Sequence, residues 1–200
     1  MQQVRDNLLA LWFGNNPDDS AVAAEKKELW WDHNPETDEM LRDQFGTAST
    51  AGSVGVLDHW TGSPSGRLAL VLLLDQIPRA IHRGLPEAFA FDGDARKVAL
   101  QGLASGADRL LRPVERVFLY LPFEHSEDLA DQEQSVELFR ELAESVPDSD
   151  RETFDFFLEY AVRHHAVIAR FGRFPHRNAI LGRESTPEEI EYLKTPGSSF

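Results

Sequence analysis

Residues 65–79 read SGRLALVLLLDQIPR, and the run LALVLLL at positions 68–74 would place apolar side chains on every side of a helix. A helix that is apolar all round is buried inside a fold, whereas a surface helix keeps one polar face. Ser63 and Pro64 give this helix a start, because proline suits the first helical position. The run is too short to cross a bilayer, which needs about 20 residues. It therefore predicts a central helix that other helices surround.

The C-terminal end of this segment carries a charged pair and a proline. Asp75 and Arg79 are four residues apart, so their side chains can pair on one face of a helix. Pro78 lacks a backbone N–H and clashes with the preceding turn, which predicts that the helix bends or ends there. Two interpretations stay open. Arg79 either caps the helix and forms a buried ion pair with Asp75, or this polar end forms one wall of a pocket.

Helix signals recur along the rest of the chain, and runs of alternating β-branched residues are missing. The sequence therefore predicts one all-α domain over residues 1–200, with about eight to ten antiparallel helices and residues 194–200 as a frayed tail. Asn34 before Pro35 predicts one helix start, with the helix ending at Gly46. Further boundaries are expected at a capping box of Ser149 with Glu152, at Gly172 as a left-handed C-terminus, and at a second box of Thr186 with Glu189.

The charge balance limits the classes of partner. There are 20 Lys+Arg against 34 Asp+Glu, and the resulting net charge of −14 repels nucleic-acid phosphates. The absence of cysteine excludes disulfides and thiolate metal sites. Phosphate-loop motifs and a basic leader segment are also missing. We therefore expect a soluble cytoplasmic protein with no nucleic-acid partner, no membrane and no cofactor.

The cations gather in residues 163–183, which hold five arginines, three histidines and no acid. Phe171 and Phe174 interleave with them, and Pro175 stiffens the loop that carries the next polar residues. Burying unpaired guanidinium groups is costly, so they need carboxylates, water or a bound anion. The planar fork of arginine suits a carboxylate or a phosphate. Two interpretations again stay open: a ligand-anion site, or an arginine-rich clasp between helices.

Glu124 and His125 lie in a predicted turn just before another helix. A glutamate beside a histidine can act as an acid–base pair, or can fix the tautomer of the ring. The alternative is that both side chains are solvated or cap helix ends. A metal site is the weaker hypothesis: His125, His164, His165 and His176 with Glu124 or Asp75 offer nitrogen and oxygen ligands. The usual HExxH or HxH spacings are missing and nearby arginines oppose a cation, so we predict no metal.

Several motifs together resemble a known family. LLLDQIPRAIHRG, FLYLPFEHSEDLADQEQSVELF and IARFGRFPHRNAILGRESTPEEIEYL look like the bacterial domain-of-unknown-function family 924. The resemblance implies an all-α fold similar to tetratricopeptide helical arrays, and it implies no established activity. One departure is that family members often have Phe and Asn where this chain has Ile77 and Ala80. The family's motif blocks fall on Asp75, Gln76, Pro78, Arg79, Glu124, His125, Ser126, Glu127, Gly172, Arg173, Pro175, His176, Arg177, Asn178 and Arg183.

Two classes of function follow from these residues. The first is binding of a small carboxylate or phosphate in a pocket, with enzymatic activity left open. The second is a tetratricopeptide-like module that binds a protein or peptide in a groove; a purely structural polar core is the remaining alternative. The oligomeric state stays open. For the first class, the ligand-binding residues expected are Asp75, Gln76, Arg79, Arg173, Arg177, Asn178 and Arg183. The residues expected to move protons are Glu124, His125 and His176.

Overall fold

A continuous helical rod from Pro64 to Ile81 runs through the centre of the molecule, as the apolar run predicts. Every residue from Leu68 to Leu74 is at most 1% exposed in the computed structural model, which describes residues 1–199. The side chain of Ser63 accepts a hydrogen bond from the Gly66 amide and so caps the start of the rod. The rod carries the polar residues at its C-terminal end into the interior.

The described residues contain ten α-helical segments and no strand, which confirms the predicted all-α class. The fourth and fifth segments are the two ends of the central rod, joined by a π-helical turn at Leu72–Gln76. The helices are α1 (Gln2–Phe13), α2 (Asp19–Trp31), α3 (Pro35–Ser53), α4 (Pro64–Val71), α5 (Ile77–Ile81), α6 (Asp92–Ala104), α7 (Pro113–Glu124), α8 (Leu129–Ser145), α9 (Arg151–Phe171) and α10 (Pro187–Leu193). Short 3-10 turns at Pro86–Phe89 and Pro175–Arg177 add to the walls of the site described below.

The helices pack as neighbours around the rod. Helix α3 lies against α5, α4 lies against α6, and α7, α8 and α9 pack in that order. Helices α1, α2 and α7 share an aromatic cluster in which the rings of Trp30 and Phe118 are 4.7 Å apart. Within residues 1–199 no helix has both the length and the apolar character that a membrane crossing requires.

The predicted helix end at Gly46 is wrong because packing overrides the local signal. Helix α3 continues through Gly46 to Ser53. Its small residues lie against the central rod: a Cβ atom on Gly52 would be 3.1 Å from Leu70, and Ser49 Oγ donates to the Leu73 carbonyl at 2.7 Å. The close approach offsets the roughly 1 kcal/mol that glycine costs in a helix.

Of the two alternatives expected at Pro78, a bend or an end of the helix, the end does not occur. The π-helical turn precedes it, and the amide of Ile77 donates to the Leu72 carbonyl five residues earlier. The wider turn accommodates the proline, and α5 then continues to Ile81. The carbonyl of Asp75 accepts a hydrogen bond from Arg79 Nη1 at 2.8 Å. The irregularity thus falls at the polar end of the rod.

The C-terminal third follows the predictions more closely. Gly172 closes α9 with φ 68°, and the Thr186–Glu189 capping box opens α10. The predicted box of Ser149 is wrong: α9 starts one residue after Asp150, whose carboxylate accepts from Ser20 Oγ at 2.9 Å and does not cap the helix. The predicted fraying of residues 194–200 stays a prediction, and Phe200 lies outside the described residues.

Candidate functional site

A cavity of about 730 Å³ opens beside the polar end of the central rod, between α2, α7 and α9. Its size is typical of sites that enclose a drug-sized molecule. One set of lining residues, which we call the polar half, is Gln76, Arg79, Glu124, His125, His164, His176 and Arg177; Lys27, Asp32, Asp38 and Arg83 also line the cavity. The other half is aromatic: Trp12, Trp30, Trp31, Phe89, Phe139, Phe156, Phe157 and Tyr160.

Asp75 is the fully buried carboxylate that organises the polar half. Its Oδ1 lies 2.7 Å from His125 Nδ1 and 3.2 Å from Arg79 Nη1, and its Oδ2 accepts from Gln76 Nε2 at 2.6 Å. Burial by itself would raise the pKa of Asp75, but Arg79, His125 and the hydrogen bonds together lower that pKa well below its usual value. Asp75 is therefore ionised near neutral pH.

Arg79 is fully engaged by internal acids. Besides its contacts with Asp75, it donates two hydrogen bonds to the Asp92 carboxylate, at 2.8 and 3.0 Å. Burial tends to lower the pKa of Arg79, but Asp75 and Asp92 outweigh it and raise the pKa. The sequence-based interpretation of a buried ion pair thus describes Arg79 well, and its side chain forms one wall of the cavity as well.

Arg177 is also buried, but nearby acids compensate its charge much less than they compensate the charge of Arg79. Its guanidinium carbon lies 4.6 Å from the Phe89 ring centre and 4.4 Å from that of Phe174, so the group is held between two rings. Its ion pair with Asp92 is long, at 3.6 Å, and Nε has no hydrogen-bond partner among the described residues. Burial, followed by repulsion from Arg79, lowers the pKa of Arg177 to about 10. The cavity wall therefore contains a cation that is incompletely neutralised.

His125 has a defined orientation. Because Asp75 is ionised, His125 Nδ1 carries the proton that it donates to Asp75, which leaves the lone pair on Nε2. Burial, followed by the charge of Arg79, lowers the pKa of His125 in spite of Asp75. The ring is thus held neutral, as a base with a fixed tautomer.

Glu124 lies next to His125 in the sequence and is buried at the C-terminal end of α7. Burial and the nearby charge of Asp75 raise the pKa of Glu124 to about 8, so this carboxyl is mostly protonated near neutral pH. Glu124 Oε1 is 3.2 Å from Nδ1 of His164, which is also 2.8 Å from the Tyr160 carbonyl. The wall thus combines a protonated acid with a neutral base.

His176 lies in the 3-10 turn beside Arg177 and lines the same cavity. Burial, followed by the charge of Arg177, lowers the pKa of His176 to about 4. Its imidazole is therefore neutral near pH 7 and adds no positive charge to the wall.

Four of the residues expected to bind a ligand lie outside the cavity lining: Asp75, whose contacts are given above, and Arg173, Asn178 and Arg183. Arg173 donates to both carboxylate oxygens of Glu189, at 2.7 and 2.8 Å. Arg183 donates to both oxygens of Glu127, at 2.6 and 2.9 Å, and to the side chain of Asn178. These contacts tie residues 172–183 to α10 and to Glu127, which lies two residues before α8. They correspond to the alternative interpretation of an arginine-rich clasp, and we name this set the C-terminal clasp: Glu127, Arg173, Asn178, Arg183 and Glu189.

A metal centre finds no further support. Within residues 1–199 no group of three or more histidine or acidic side chains has an arrangement suited to a metal ion. His165 is absent from the cavity lining, and the charge of Arg177 faces the histidines that do line it.

The aromatic half of the cavity was not predicted from the sequence. Trp30 and Trp31 read as ordinary core residues, since tryptophan is usually buried for packing alone. The one usable signal was that two adjacent tryptophans cannot both point into the core from one helix, because neighbouring residues are about 100° apart around its axis. Trp30 is 7% exposed and Trp31 is 42% exposed, as that geometry requires.

Comparisons with known proteins agree with the resemblance seen in the motifs. A protein family described as "bacterial protein of unknown function (DUF924)" matches residues 8–197 of the chain. A solved structure of a protein of unknown function from Agrobacterium tumefaciens, ATU0120, is similar at a TM-score of 0.75 and 37% sequence identity, over 88% of this chain and 99% of that one. None of the curated proteins matches the sequence. The chain therefore belongs to the bacterial family of unknown function DUF924.

Proposed function

We propose that the cavity binds a small organic anion, with a carboxylate or phosphate group held by Arg177. The observation that carries this proposal is the state of that side chain, which is buried with an unpartnered Nε and an ion pair as long as 3.6 Å. A buried charge without close partners is costly, and an anion in the adjacent cavity would accept hydrogen bonds from the part of the guanidinium group that lines it. Arg79 would position Asp92 and Asp75, because its own hydrogen bonds are already made.

Proton transfer is the chemistry that the same wall supports. His125 would act as the base through Nε2, with Asp75 fixing its tautomer, and Glu124 would act as the acid in its protonated form. Two titratable groups with pKa values pushed apart in one concave site are typical of catalytic centres. We therefore propose general acid–base chemistry on the bound anion, with Arg177 as the group that orients it.

The second function class, a tetratricopeptide-like module for proteins or peptides, stays a prediction. The unusual polar residues that the motifs contain lie around one cavity or in the C-terminal clasp. No observation assigns any of them to an extended groove.

Thermal unfolding with acetate, benzoate and inorganic phosphate tests the binding proposal, with the neutral compound benzamide as the matched probe. A ligand that binds the native state raises the melting temperature by mass action. We expect at least one anion to raise it in the native protein but not in Arg177→Met, while benzamide has no comparable effect. Arg140→Met, which removes an exposed arginine of α8, is the control and should respond like the native protein. Equal responses in Arg177→Met and Arg140→Met would overturn the proposal.

A further inference from the structure

The aromatic half of the cavity lining contains a nearly continuous set of rings. Trp30 and Trp31 come from α2, with ring centres 6.0 Å apart, and Trp31 is 6.3 Å from Phe157 of α9. Phe156 continues the set, at 6.0 Å from Phe157 and 4.8 Å from Tyr160. All five line the same cavity as the polar residues. One cavity is therefore lined by both charged and aromatic side chains.

Two of these rings are exposed to solvent, which is unfavourable for apolar side chains of their size. Trp31 is 42% exposed and Phe156 is 46% exposed, and they come from different helices. Large apolar side chains that line a concave site and remain in water are typical of binding surfaces. A ligand that covered them would gain the free energy of removing their apolar surface from water.

The link between the two halves is Phe89. It lines the cavity, and its ring contacts the guanidinium groups of both Arg177 and Arg79, at 4.6 and 5.7 Å. A ligand whose acid group binds Arg177 therefore meets the Phe89 ring where the rest of the ligand extends out of the polar half. Acetate or inorganic phosphate would fill the polar end alone and leave the aromatic end in water.

From this arrangement we infer that the ligand is an aromatic carboxylate, whose acid group binds Arg177 and whose flat ring system lies against Trp31, Phe156 and Phe157. The inference rests on the proposed function and names the ligand class of that site. Flat rings suit the aromatic wall because ring–ring contacts stabilise binding beyond the free energy gained by burying apolar area. The volume of about 730 Å³ leaves room for two fused rings.

Calorimetric titration with 2-naphthoate and acetate tests the inference. We expect 2-naphthoate to bind the native protein at least roughly 100-fold more tightly than acetate, because it buries a full ring system. Trp31→Ala and Phe156→Ala should each weaken 2-naphthoate roughly 5- to 10-fold or more and leave acetate unchanged. Both residues are partly exposed, and circular dichroism checks that each variant folds. Leu110→Ala, an exposed residue outside the cavity lining, is the matched control and should change neither affinity.

The outcomes separate the inference from the function on which it rests. If acetate binds through Arg177 and 2-naphthoate binds no more tightly, the aromatic ligand class is wrong and the anion site stands. Full 2-naphthoate affinity in both alanine variants also overturns the inference. If neither carboxylate binds, the inference fails and the proposed function is left to the phosphate arm of its own test; if binding survives Arg177→Met unchanged, the proposed function and the inference fail together.

Discussion

Nδ1 of His125 lies 2.7 Å from Oδ1 of Asp75, although the two residues are 50 positions apart in the chain. The contact joins the polar end of the central rod to the end of α7, and Asp75 holds Arg79 and Gln76 at the same time. The buried carboxylate is therefore both a structural centre and the group that fixes the orientation of a candidate base.

Asp75→Asn should strongly destabilise the fold. The substitution keeps the shape of the side chain but removes the charge that compensates the buried Arg79, and breaking a buried pair in this way costs about 3–5 kcal/mol. Urea denaturation measures the loss. Asp43→Asn, at an exposed position of α3, is the control and should stay within about 0.5 kcal/mol of the native protein. Similar unfolding midpoints for the two variants would show that the Asp75 charge is not central.

Glu124→Gln should gain stability relative to the native protein as the pH rises. The pKa of Glu124 is raised from 4.5 to about 8 in the fold, so between these pH values the native state keeps a proton that the unfolded chain releases. The contribution of Glu124 to stability is complete below pH 4.5 and is lost as the pH rises towards 8, by at most about 1.4 kcal/mol per pH unit. Glutamine stays neutral throughout and avoids this loss.

Urea midpoints of the native protein and Glu124→Gln across that pH range check the prediction. The buried histidines, whose lowered pKa values change stability in the opposite direction below pH 6.5, are present in both proteins and largely cancel in the difference. Glu141→Gln, at an exposed position of α8, should show no such trend. A constant difference between the native protein and Glu124→Gln at all pH values would mean that Glu124 is ionised in the fold.

Arg79 and Arg177 should respond in opposite ways to the same substitution. Arg79→Met leaves Asp75 and Asp92 without their closest cation and should cost about 3–5 kcal/mol. Arg177→Met removes a charge that burial already disfavours, so the ligand-free protein should be as stable as the native one or more so. Denaturant titrations of both variants measure the contrast. A loss of stability in Arg177→Met equal to that in Arg79→Met would place both arginines in the structural network.

The C-terminal clasp should be separable from the cavity. Hydrogen bonds from Arg173, the Thr186 amide and Asn178 lower the pKa of Glu189 to about 2. The stabilising effect of the Glu189 charge is thus present above pH 4.5 and is lost as the pH falls towards 2. Glu189→Gln should destabilise the protein at pH 7 and much less near pH 2.

Hydrogen exchange of α10 in Glu189→Gln measures this effect at pH 7, where the amides of α10 should exchange faster than in the native protein. Benzoate binding is the second readout and should be unchanged, because the clasp lies outside the cavity lining. If Glu189→Gln weakens benzoate as much as Arg177→Met does, the clasp belongs to the binding site after all.

The sequence predicts those elements whose local and tertiary signals agree. The LALVLLL run gives the central rod, and Thr186 with Glu189 gives the start of α10, because burial and capping act in the same direction there. Gly46 and Pro78 mislead for the same reason as each other. The tendency of each residue to break a helix is overcome by its surroundings: α3 packs closely on the rod, and a π-helical turn carries the rod past Pro78.

The candidate site is only partly predictable for a related reason. Composition and spacing single out Arg79, Glu124, His125 and Arg177 as unusual for a helical bundle, and all four line one cavity. The same signals select Arg173, Asn178 and Arg183, because they share the acid-free segment with Arg177. Which arginine meets an internal acid depends on where Glu127 and Glu189 lie in space. That pairing is a property of the fold.

The most direct test of the central claim is a crystal structure of the protein soaked with 4-bromobenzoate. The anomalous signal of bromine locates the ring independently of the surrounding density. We expect a bromine peak beside the aromatic half of the cavity, with a carboxylate oxygen within about 3.2 Å of an Arg177 nitrogen. A bromine peak found only outside the cavity, with Arg177 bound directly to Asp92, would contradict the claim that this side chain holds a ligand anion.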